Sequence, residues 1–110
     1  MDSQRLTSAL LAIKREDDRG KKGDALKQLL AETGIDRVTV DGQDDAIGKL
    51  ECLIRFRCAE ERGLIPGKIV MYSRVAPCAH IHYQNSKGYV CLRGVPGEFD
   101  PEHLILMCNW

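Results

Sequence analysis

Between Gly63 and Gly67 the chain changes its hydrophobic period, and that change limits the folds open to it. Upstream, apolar residues recur at helical spacing. Downstream they fall in short alternating runs rich in valine, isoleucine and tyrosine, as on strands. Gly63 ends the longest helical pattern and Pro66 prevents it from restarting. Helices gathered in one half and strands in the other make an α+β domain and not an alternating parallel one. A chain of 110 residues has room for one domain, 1–110, with a helical part over 1–65 and a strand-rich part over 67–110.

Three helices are expected. Residues 3–16 place Leu6, Leu10 and Ile13 on one stripe, with Ser3 as the cap. The charged run 15–24 reads as a solvated connection broken by Gly20 and Gly23. Asp24 then caps a helix over 25–33, with Leu26, Leu29 and Leu30 as its stripe and Gly34 as a left-handed stop. Val38 and Val40 alternate as on a short strand that turns at Asp41–Gly42. Residues 44–62 form the long central helix, on a stripe of Ile47, Leu50, Ile54 and Cys58. Gly48, Cys52 and Ala59 make a small-residue seam where another backbone would approach closely.

Strands are expected over 67–75, 78–84 and 88–94, with a hairpin turn at 85–88. Residues 93–103, with two prolines and two glycines, read as a binding loop. Asp100 and Pro101 open a helix-like start, yet Leu104, Leu106 and Cys108 alternate, which favours a strand over 100–108. The expected fold is thus N-terminal helices and one long central helix packed on a C-terminal antiparallel β-meander of about 3–5 strands.

Composition narrows the function classes. Sixteen basic and sixteen acidic residues cancel, which disfavours general nucleic-acid binding. No apolar run approaches the ~18 residues of a membrane span. The first residues lack the basic start and apolar core of a signal peptide, so a cytoplasmic location is expected. Five cysteines, an odd number with no C-x-x-C pair, argue against a disulfide framework.

One stretch carries metal-ligand chemistry: Cys78, His80 and His82 alternate and would share one strand face, about 6–7 Å apart. Zinc accepts thiolate and imidazole in a tetrahedral shell. Its fourth ligand would be Cys91, Cys108 or His103, although Cys91 falls out of register unless a bulge intervenes. The structural alternative is a wet face, with Ala79, Ile81 and Tyr83 turned to the core. Cys78 beside a histidine also has the residue types of a thiolate–imidazole nucleophile, but nothing in the pattern sets them within hydrogen-bond reach.

No complete catalytic set emerges. The expected function is therefore a small intracellular non-catalytic interaction protein: an inhibitor, adaptor or accessory subunit with a protein partner, or a homodimer. Its binding residues are expected to be His80 and His82, Glu98, Phe99 and Asp100 in the late loop, and Arg55 and Arg62 one heptad apart on the long helix. Phe99 is an aromatic in a polar loop, either an interface anchor or, as favoured here, a plug returning to the core. The alternative is a zinc-binding domain, structural or hydrolytic, centred on Cys78, His80 and His82.

Overall fold

The computed structural model describes residues 2–73 and 78–107. It contains three α-helices, α1 (Ser3–Arg15), α2 (Arg19–Thr33) and α3 (Gly42–Arg62), followed by five strands. These are β1 (Ile69–Met71), β2 (Ala79–Gln84), β3 (Val90–Leu92), β4 (Val95–Phe99) and β5 (Ile105–Leu106). Every pairing is antiparallel, and the strand order is β4-β3-β2-β1-β5. The arrangement is α+β, as the change of period predicts. It is a meander only through β4, because β5 returns to pair with β1 at the far edge. The chain divides into two compact units, Met1–Ile54 and Arg55–Trp110, and the division falls within α3.

The first unit is helical. Leu6, Leu10 and Ile13 of α1, Leu26, Leu29 and Leu30 of α2, and Ala46 and Leu50 of α3 form its buried cluster. The leucine stripes read from the sequence supply this core, but the helix ends differ. Asp2, not Ser3, caps α1, accepting from the Arg5 N–H at 2.8 Å. The α2 helix begins at Arg19, so Gly20 and Gly23 lie inside it and Asp24 is not its cap. The Asp18 carboxylate accepts from the N–H groups of Gly20 and Lys21, at 2.9 and 3.2 Å, and this nucleates the helix across the supposed breakers. Gly34 closes α2 at φ 79, as expected, with the Ile35 N–H returning to the Leu30 carbonyl.

The expected strand at Val38–Val40 is instead a single 3-10 turn, Arg37–Thr39. Asp36 accepts from the Val38 N–H and also receives the Thr39 hydroxyl on its carbonyl, so local hydrogen bonds hold the turn. Val38 is left 91% exposed. The small-residue seam of α3 also fails at its start. Gly48 is exposed, and a Cβ placed on it would meet nothing within 4 Å.

The second unit begins with the last two turns of α3. Ala59 and Leu64 join Val70, Ile81, Val90, Leu92 and Leu104 in a buried cluster on one face of the sheet. Residues 93–103 are not a loop: Gly94, at φ 74, makes a tight turn into β4. Asp100 then caps a 3-10 turn over Pro101–His103, accepting from the Glu102 N–H at 3.0 Å, and β5 follows. The segment expected as a helix or, by preference, a strand over 100–108 is thus a 3-10 turn followed by a two-residue strand, with 108 outside the described residues.

Arg62 fastens that turn to the helix end. Its Nη1 donates to the carbonyls of Pro101 (2.5 Å) and Glu102 (3.1 Å), and its Nη2 donates to that of Leu104. A planar guanidinium can serve several carbonyls at once; an ammonium is a point donor. Arg62→Ala is expected to lower the unfolding free energy by about 1–3 kcal/mol, because hydrogen bonds to a charged group are lost and their carbonyls stranded. Arg62→Lys should recover only part of it. Urea denaturation checks both; an unchanged midpoint in the alanine variant would contradict the clamp.

Candidate functional site

The sheet face opposite the buried cluster carries several of the residues singled out in the sequence. Side chains directly paired across antiparallel strands point to the same side. Val70 is buried, so its neighbours Ile69 and Met71 point outwards. Ile69 pairs with His80, and Met71 pairs with Ile105. The Met107 N–H bonds the Ile69 carbonyl at 2.9 Å, which continues the register and brings Met107 to the same face. Ile105 is 55% and Met107 47% exposed. These four residues form an apolar stripe that ends at the β5 edge.

Polar groups continue the face. His80 and His82 are exposed on β2, and Cys78 is exposed just before it. The Arg93 N–H bonds the His80 carbonyl from β3. Between Ile81 and Tyr83 the β2–β3 register shifts, so Tyr83 stands opposite Cys91. This β-bulge breaks the alternation that would have turned Tyr83 to the core. Tyr83 is half-exposed instead, with its ring edge-on to that of His82, centroids 5.0 Å apart. A hydrogen bond with the Cys91 side chain, aided by the negative charges of the Cys91 thiolate and Glu98, raises the Tyr83 pKa above its ordinary value. Glu98 accepts from the Asn85 amide at 2.8 Å, tying the outer side of β4 to the hairpin turn.

The other expected binding residues are occupied within the unit. Arg55 lies over the Tyr89 ring, 4.1 Å from its centroid, and donates to the Lys87 carbonyl at 2.8 Å. Arg62 holds the 3-10 turn. The Asp100 carboxylate is engaged as that turn's cap. Phe99 is half-buried against Tyr72, ring centroids 5.5 Å apart, and packs on the sheet's buried cluster, the position of a plug. Burial pushes the Cys58 thiol pKa up, with Arg62 acting against it.

Cys78, His80 and His82 keep their exposed positions along one strand. Among the described residues, no three side chains of the metal-ligating types are gathered closely enough to hold an ion. Cys108 lies outside those residues. Among the described residues, Cys52, Cys58, Cys78 and Cys91 form no disulfide. Sequence reasoning missed the stripe of Ile69, Met71, Ile105 and Met107, because its members come from strands whose pairing is remote in sequence. The short apolar alternation at 104–108 was the available signal. No helix among the described residues is long and apolar enough to cross a membrane.

The chain matches no family model, no curated protein and no solved structure.

The Tyr83–Cys91 contact is directly testable. Cys91→Ala should bring the Tyr83 pKa down towards the ordinary tyrosine value of 10.0. A pH titration of the tyrosine ring carbons by NMR reads it. An unchanged Tyr83 midpoint would mean that the thiol does not act on the phenol.

Proposed function

We propose that this chain is a small non-catalytic interaction protein, an inhibitor, adaptor or accessory subunit, which binds a protein partner through the outer face of its sheet. The observation that carries this reading is the outward apolar stripe of Ile69, Met71, Ile105 and Met107 beside the β5 edge, with Ile105 and Met107 exposed and Ile69 and Met71 half-buried. An apolar stripe with His80, His82 and Tyr83 exposed on the neighbouring strand has the composition of a protein interface.

The two sheet edges support the choice of side. On β4, Pro96 and Gly97 fall within the edge strand and its register shifts, features that discourage strand addition. On β5 no proline intervenes between Leu104 and Met107. A partner segment would add to this edge and lay alternate apolar side chains on the stripe. Since β5 is only two residues long, side-chain burial supplies more of the affinity than backbone pairing does. A cytoplasmic setting accords with the free thiols on the described strands and helices.

Native mass spectrometry of the untagged protein, purified without chelator, tests this. The expected mass exceeds the 12.3 kDa of one chain, through either a co-purifying protein or a second copy. Ile105→Asp with Met107→Asp should return it to that of the single chain, at least a tenfold weakening, since charges at an interface centre are costly. A wild-type mass of 12.3 kDa would count against the proposal. One zinc per chain, lost in His80→Ala, would assign the same face to metal binding instead.

A further inference from the structure

The helical unit holds a cleft of about 240 Å³ that the sheet-face reading does not use. Leu26 and Leu30 of α2, Val40 after the 3-10 turn and Ala46 of α3 give it an apolar lining, and Lys27 and Arg37 add two cations. Among the described residues, no carboxylate lines it. Glu16, Asp17, Asp41 and Asp44 surround a separate depression that shares only Gly42 and Gln43 with the cleft. In the same unit Lys14 and Lys49 are paired with Glu51 and Asp45. Lys27 and Arg37 have no such partner among the described residues.

A glycine forms part of one wall. Gly23 lies within α2, where glycine is less favourable than alanine. A Cβ there would stand 3.2 Å from the Gln43 amide nitrogen, so the missing side chain leaves Gln43 its place and the wall bare. An apolar cleft lined also by two cations, Lys27 and Arg37, with no carboxylate among its described lining residues, is complementary to an amphipathic anion.

We propose that this cleft binds a small aliphatic carboxylate, with its chain against Leu26, Leu30, Val40 and Ala46 and its headgroup at Lys27 and Arg37. The volume corresponds to roughly eight waters at ~30 Å³ each, which suits a chain of about six to eight carbons. Arg37 offers a planar fork that matches a carboxylate, and Lys27 a mobile point charge. The inference rests on the helical unit alone and stands or falls separately from the sheet face.

The test is a two-dimensional NMR titration of the full chain with octanoate, using acetate and octylammonium as controls. Octanoate should saturate and shift the amides of Leu26, Leu30, Val40 and Ala46. Hexanoate should bind more weakly, by up to about fourfold for each methylene lost. Acetate lacks the chain and octylammonium has the wrong charge, so neither should saturate these signals. The Lys27→Glu, Arg37→Glu double variant changes two exposed residues, and it should weaken octanoate at least tenfold with the remaining spectrum unchanged. Gly23→Ala, which crowds Gln43 without removing charge, provides a second variant and should also weaken binding. Absence of saturable shifts at the cleft, equal binding of octanoate and octylammonium, or undiminished binding in the charge variant would each overturn the proposal.

Discussion

The Arg62 guanidinium sets where the last strand begins, and much of the second unit follows from that. The carbonyls of Pro101, Glu102 and Leu104 converge on this one side chain, that of Pro101 also accepting from the Leu104 N–H at 3.3 Å. With its carbonyl so held, Leu104 drops fully into the buried cluster. Alternation then turns Ile105 out, Leu106 in and Met107 out. A one-residue slip would bury Ile105 and Met107 and expose Leu106, so the character of the outer face depends on this register. The clamp works across about forty residues of sequence, which is why a heptad reading of α3 does not reveal it.

The β-bulge in β2 plays the corresponding part at the polar end of the face. Strict alternation would have set His80 and His82 outwards and Ile81 and Tyr83 inwards. The bulge keeps Ile81 in the core and releases Tyr83 to the surface, where it meets His82 and Cys91. Two rings and a thiol thus share one side of a short hairpin. The same shift makes Cys91 a neighbour of Tyr83, while alternation with buried Val90 and Leu92 leaves Cys91 half-buried. Its polar contact is therefore with a phenol, and the thiol is not buried as an inert hydrophobe.

Much of the fold is legible in the sequence wherever one element suffices to explain a residue. The leucine stripes of α1 and α2, the glycine stop at Gly34, the helix end at Gly63 and the hairpin turn at Asn85–Gly88 each follow from local chemistry. Misreadings arise where a short polar side chain overrules a hydrophobic pattern. Asp18 carries a helix through two glycines, and Asp36 winds a valine-rich segment into a turn. The late segment 93–103 is rich in turn residues, yet β4 forms because Val95 and Phe99 pair with β3 and pack on the core. Of the candidate site, the exposure of His80 and His82 follows from alternation. The apolar stripe beside them depends on which strands become neighbours, and a period-two pattern carries no information on that.

Cations show the same limit from the other direction. A formal charge of zero says nothing of which positive groups remain available. Arg55 and Arg62 sit on a helix with the spacing of a binding pair, but each reaches into its own unit, to a tyrosine ring and a hairpin carbonyl or to a turn. Long side chains on a helix end are well suited to such service, since their stems pack while the head finds distant carbonyls. Lys27 and Arg37 belong to no motif at all, and they line an apolar cleft with no ion-pair partner among the described residues. The capacity of a cation to recognise something outside the chain is thus set by the acceptors that the fold leaves beyond its reach, and spacing along a helix is a poor guide to it.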